Sequence, residues 1–216
     1  MVGMTTRIAP LIVGAAALAA MAVVYQVLVV SYSGQVVDHD AMLTLGALTG
    51  HDVPTFGTLG RLQIPILFAA AAVIAAVCLG RRSVRLFANA CLVVLGTTVA
   101  AVILQAGLDR PTLGIGQLNS FPSKTVAAFT AVAIAICAVV PRRVLPAVAP
   151  IVLTVVAAVS AGVVSLLWHR PSDVIGGVLL AVAVAALAEY AVPVWTRAHR
   201  RVGPAGVPDW RQPLRG

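Results

Sequence analysis

Residues 86–106 read LFANACLVVLGTTVAAVILQA, with no ionisable group other than Cys91. At about 1.5 Å of rise per residue, a helix of this length covers the roughly 30 Å hydrocarbon core of a bilayer. The flanks differ. GRRSVR (residues 80–85) precedes it and is strongly basic, whereas LDRPTLG (residues 108–114) follows it and mixes an acid, a base and turn-forming residues. Working outward, the same pattern recurs: a long apolar run, a short basic connection at one end, and a more varied polar connection at the other.

Composition makes this reading general. Of 216 residues, 60% are hydrophobic and only 10% charged, with a mean hydropathy of +1.00. That is more apolar surface than one soluble core of this length buries. Period-two alternation is nowhere sustained, which excludes a barrel. The expected fold is therefore all-α, a polytopic bundle of six transmembrane helices. Hydropathy places the spans at about 9–30, 63–79, 86–106, 124–140, 146–167 and 174–195. The bundle domain is expected to occupy residues 1–196, leaving 197–216 as a basic tail without apolar period.

Charge distribution gives an orientation. Arg7, Arg81, Arg82, Arg85, Arg142, Arg143 and the tail arginines lie on one side, together 11 of the 15 basic residues. Arg61, Arg110, Lys124 and Arg170 lie on the other. The positive-inside rule then puts both termini in the cytoplasm and the varied loops outside a plasma or inner membrane. The net charge of +8 is accounted for by topology and anionic lipid, so no nucleic-acid partner is implied. The first apolar run exceeds the usual h-region of a signal peptide and is read as an uncleaved anchor. Cys78, Cys91 and Cys137 fall inside spans, and no metal-ligand spacing occurs, so neither disulfides, a metal nor a cofactor is expected. Small residues suit close helix packing, but their spacings are too frequent to select a dimer face, leaving a second copy or another membrane protein open as a partner.

Three polar clusters fall on the presumed outer side: LDRPTLG (108–114), SFPSKT (120–125) and WHRPSDVIGG (168–177). Singly, each has a structural explanation: an interfacial ion pair, a helix start, a cap on the last span. Together they compose an anion site. A helix start with free N–H groups beside Lys124, with Arg110 and Arg170 near, suits a phosphate. In His169 and Asp173 a carboxylate can fix one imidazole nitrogen and leave the other free for nucleophilic attack or proton transfer. Glu189 is the lone acid within a span and is read as interfacial.

The order RP (110–111), FPS at a helix start (121–123) and HRPSDVIGG (169–177) resembles the type 2 phosphatidic acid phosphatase (PAP2) superfamily, over roughly residues 55–190. The family's signatures are K-x6-RP, PSGH and SR-x5-H-x3-D. The resemblance implies six helices and a phosphatase acting on a lipid or polyprenyl phosphate amid membrane lipids. It implies that His169 attacks phosphorus, that Asp173 orients it, and that Arg110 clamps the phosphate. Ser123 falls on the second signature, where Lys124 and Thr125 replace Gly-His and thereby remove the family's general acid. Ile103 and Gly162–Val163 stand where a clamp lysine and a Ser-Arg pair would be. Lys124, Thr125 and Arg170 are then the substitute phosphate ligands, and His39 or His51 a substitute acid. The alternative is a pseudoenzyme that binds lipid headgroups or serves a membrane assembly.

Overall fold

A computed structural model describes residues 2–48, 53–115 and 119–194, with the side chains of 2–7, 53–57 and 59 left aside. The tail beyond 194 and His51 lie outside the described residues. Among those described there are seven α-helices and no strand: α1 (Val2–Val24), α2 (Tyr32–Leu48), α3 (Val53–Gly80), α4 (Val84–Gly107), α5 (Lys124–Val139), α6 (Leu145–Ser165) and α7 (Pro171–Ala191). A π-helical turn, Tyr25–Val30, extends α1.

Five segments are long and apolar enough to cross a membrane: Ile8–Val30, Gly60–Gly80, Val84–Gly107, Leu145–Ser165 and Pro171–Ala191. The helix expected over 124–140 is shorter, at 16 residues, or roughly 24 Å. Its position explains its tolerance of that length. α5 packs against α3, α4, α6 and α7, and more than half of its residues are buried, so protein rather than lipid surrounds it. Ser123 starts it, accepting the N–H of Val126 at 3.3 Å.

Two departures from the hydropathy reading concern the segment after the first span. It was expected as an outer loop, yet residues 32–48 form α2, and α3 begins about ten residues before the apolar run that announces it. Neither stretch is apolar enough for a hydropathy window to report it. Tertiary contacts hold α2 instead. It folds back onto the π-helical turn so closely that a Cβ on Gly34 would sit 1.8 Å from the Val27 carbonyl oxygen. Only glycine fits there.

Small residues set the remaining contacts. α1 lies along α7, where Gly14 faces Ala183 and Ala186 across ordinary van der Waals distances. Buried clusters run the length of the bundle: Ile74, Cys78, Leu86, Ala90, Val132, Ala135 and Val139 at one end, and Met21, Val29, Ala101, Phe121, Ala127 and Leu180 toward the other. Cys78, Cys91 and Cys137 are unpaired. At the end where α4 stops and α5 and α7 start, two glycines let α7 approach the FPS segment. A Cβ on Gly177 would lie 2.8 Å from the Ser123 carbonyl oxygen, and one on Gly176 would lie 2.4 Å from the Phe121 ring.

Because the Gly177 obstruction is backbone on a buried helix, rotamer change cannot relieve it. Gly177→Ala is expected to destabilise the protein by about 1–3 kcal/mol, read as a lowered midpoint of thermal unfolding in detergent. An unchanged midpoint would show that α7 and the FPS segment are not in this contact.

Candidate functional site

The loop from 108 to 123 is held from several sides. The Tyr25 hydroxyl donates to the Asp109 carbonyl at 2.6 Å, and buried Gln35 donates through Nε2 to the carbonyls of Val29 (2.8 Å) and Pro111 (2.9 Å). Asn119 donates to the carbonyls of Gln105 and Leu108 at the end of α4, and its Oδ1 accepts the Phe121 N–H at 3.1 Å. The Phe121 ring meets Tyr25 with centroids 5.5 Å apart. The Phe121–Pro122 bond is cis, and the Ser123 N–H donates to the Asp173 carbonyl. Arg110 is thereby fixed at its backbone.

Its side chain is almost fully enclosed. Nη2 donates to Asp173 Oδ1 at 3.0 Å, and Nη1 lies 3.9 Å from Asp38 Oδ2, an ion pair beyond hydrogen-bond range. Burial pushes the guanidinium pKa down from its usual range, although Asp173 and Asp38 oppose that shift. Asp38, on α2, also holds the start of α7: Oδ1 accepts the Ser172 N–H at 2.9 Å and Oδ2 the Ser172 hydroxyl at 2.5 Å. Burial raises the Asp38 carboxyl above the ordinary carboxylate range; the Ser172 bonds pull it back down, Asp173 adds to the rise, and Arg110 opposes it.

Asp173 is fully buried, and both its oxygens are engaged. Oδ2 accepts the Arg170 N–H at 2.9 Å, capping α7, and also the Ser120 hydroxyl at 2.5 Å. His169 Nδ1 sits 3.6 Å from that same oxygen, just outside hydrogen-bond range. The turn that presents His169 is made by backbone. The N–H groups of Trp168 and His169 both donate to the Val163 carbonyl, and Leu167 takes a left-handed φ of 58° to end α6.

The expected residues thus divide. His169, Asp173 and Arg110 converge, and Arg170 joins them, buried, with Nη2 on the Ile115 carbonyl at 3.3 Å. Ser123 is buried and used as a helix cap. Lys124 is exposed and Thr125 half-buried, and among the described residues neither side chain has a polar partner. Ile103, which the resemblance sets against a clamp lysine, is 63% exposed and faces outward, while Val163, which it sets against a clamp arginine, is buried. His39 buries an Nδ1 that has no partner. Sequence reasoning missed Gln35, Asp38, Asn119 and Ser120 as site residues. Gln35 and Asp38 lie three apart on α2, the spacing that puts two side chains on one helical face, but the helix itself was not foreseen.

Besides His39 Nδ1, four buried nitrogens have no hydrogen-bond partner among the described residues: Arg110 Nε, Arg110 Nη1, Arg170 Nε and His169 Nδ1. They come from the same converging segments. No group of three or more potential metal ligands occurs among the described residues.

A membrane-type chain, all-helical among the described residues, with a half-buried histidine beside a buried carboxylate and arginines at one end of the bundle, is the class of protein defined here. The family model of the PAP2 superfamily matches residues 41–197, and the chain belongs to that superfamily. No curated protein and no solved structure matches it.

Removing Arg110 strands two buried carboxylates. Arg110→Met is expected to cost about 3–5 kcal/mol near neutral pH. The loss should shrink as pH falls, because protonating the stranded carboxylates removes the uncompensated charge. Denaturant unfolding in detergent at pH 8 and pH 4.5 checks this, and an equal loss at both would sink the electrostatic account.

Proposed function

We propose that the protein is a PAP2-type lipid-phosphate phosphatase, acting on a lipid or polyprenyl phosphate at the outer face of a plasma or inner membrane. The observation that carries this reading is the convergence of His169 with Asp173, Arg110 and Arg170, leaving four buried nitrogens unpartnered. Such donors satisfy a phosphate oxygen well and are costly to leave bare. In this reading α5 completes a set of six membrane-crossing helices, α2 lies on the outer side, and both termini are cytoplasmic.

The geometry supports the following catalytic roles. His169 is the nucleophile: a small rotation that closes the 3.6 Å gap to Asp173 fixes Nδ1–H and turns the Nε2 lone pair toward phosphorus. The N–P bond forms as the P–O bond to the lipid breaks, the departing alkoxide taking its proton from water; a second water then attacks phosphorus, breaks the N–P bond and releases inorganic phosphate. Arg110 and Arg170 stabilise charge on the equatorial oxygens. Lys124 is exposed and contributes its charge from the rim.

A second reading has its own observation. Asp173 already accepts bonds from Arg110, Ser120 and the Arg170 N–H, and no histidine follows Ser123 to protonate the departing alkoxide. Loss of a general acid costs about 10² to 10⁴ in rate. The same site would then hold a lipid headgroup without turning it over, as a pseudoenzyme, alone or within a membrane assembly.

Phosphate release from a panel of lipid phosphates, including phosphatidate and polyprenyl phosphates, separates the two readings. The phosphatase reading expects release by wild type, background release by His169→Ala, and a trapped phosphohistidine on rapid acid quench. Equal release by wild type and His169→Ala overturns it. Headgroup binding without release establishes the pseudoenzyme.

A further inference from the structure

The buried carboxylate of Asp38 has no place in the mechanism above. It lies before the residues matched by the family model, on a helix that hydropathy did not announce. It is 2% exposed and satisfies both the N–H and the hydroxyl of Ser172 at the first turn of α7. It is also the second carboxylate on Arg110, whose Nη2 is already committed to Asp173. Ser172 and Asp173 are neighbours, so Asp38 and Asp173 grip the start of α7 and one guanidinium together.

We propose that Asp38 is a positioning residue of the anion site, docking α2 onto Ser172 and Arg110 and setting by its own charge how strongly the site holds an anion. The proposal rests on the anion-site reading of the Arg110, Arg170 and His169 cluster. With Asp38 ionised, two arginines face two carboxylates and the site is balanced apart from His169. With Asp38 neutral, the site carries one surplus positive charge. Arg110 is then held by Asp173 alone, and its open Nε and Nη1 are better able to meet an anion.

The groups that act on Asp38 come from every element around it. α7 contributes Ser172 and Asp173, and the α4–α5 loop contributes Arg110. The turn before α7 carries His169 and Arg170, α2 itself carries Tyr32, His39 and Asp40, and the π-helical turn contributes Tyr25, whose hydroxyl is engaged with Asp109. α6, which also packs on α2, has no titratable side chain. Burial raises the Asp38 pKa, so the change of charge is displaced upward from the ordinary carboxylate range toward neutrality. As pH rises Asp38 loses its proton, a negative charge appears beside Arg110, and anion affinity falls.

Sulfate is the probe, because its charge is constant across the range. Its binding to the full-length protein in detergent is measured by calorimetry from pH 4.5 to 8.5, for wild type and Asp38→Asn. Asparagine is nearly isosteric and keeps an acceptor for the Ser172 N–H. Every other titratable group is common to both proteins, so the ratio of their affinities isolates Asp38. That ratio is expected to be near one at the acid end and to rise to about tenfold or more at the alkaline end, the effect of one unit charge at short range in a partly buried site. Asp38→Ser, which keeps a hydroxyl acceptor in less volume, gives the same trend and serves if the asparagine variant does not fold. A flat ratio, with sulfate bound by both proteins, overturns the role of Asp38 alone. Sulfate bound by neither overturns the anion site and Asp38 with it.

Discussion

One guanidinium organises this end of the molecule. Arg110 is buried between Asp173, at the start of α7, and Asp38, on α2, and its own backbone belongs to the loop that joins α4 to α5. An uncompensated buried charge costs several kcal/mol, more than a typical contact between small residues on two apolar helices. Neutralising Arg110 therefore requires three segments, distant in sequence, to meet. The apolar middle of the bundle is packed by uncharged side chains, mostly small or aliphatic, and sets no such requirement. The charged end does.

That arrangement restrains the chemistry it permits. Arg110 Nη2 is committed to Asp173, leaving Nε and Nη1 as the donors free for a ligand. Asp173 in turn accepts from Ser120 and Arg170 as well as Arg110, which leaves His169 Nδ1 at 3.6 Å and unbonded. In the proposed phosphatase, the structural bonds to this carboxylate compete with the one it would make to His169. An anion that draws Arg110 toward itself weakens its pairing with Asp173, and the carboxylate then has more capacity for His169.

Much of this was legible in the sequence, for identifiable reasons. The long apolar runs show in hydropathy because lipid-facing helices need apolar residues on most of their surface. Arg110, His169 and Asp173 were legible through RP and HRPSDVIGG, whose prolines and glycines mark a loop and a close approach of helix to backbone. Asp38 was not. In VVDHDAML it sits beside a histidine and another aspartate and reads as a solvated loop, and only the folding of α2 onto the π-helical turn encloses it. Gln35 was hidden for the same reason. Lys124 stands apart from the buried cluster: a lone lysine at a helix start suits an anion, and as the first residue of α5 it is exposed.

The positions that the family resemblance sets against clamp residues bear on the site unequally, and the reason lies in what builds each part. Val163 stands where a clamp arginine would be, yet its carbonyl accepts the N–H groups of both Trp168 and His169. The turn that presents His169 therefore depends on the backbone at 163 and not on its side chain. Asp173 is likewise placed by the first turn of α7, through the Arg170 N–H, and by the glycines that admit Phe121 and the Ser123 carbonyl. Neither arrangement needs the missing cations, so the pair His169 and Asp173 keeps its geometry while the positions around it change. A lysine at position 103 has no such support, because that position faces outward from α4. Reaching the site from there would need a different rotation of the helix, against the packing of Ala101 and Leu104 on its inner face. Both parts of the cluster therefore rest on the fold: backbone hydrogen bonds place His169 and Asp173, and burial between two carboxylates places Arg110.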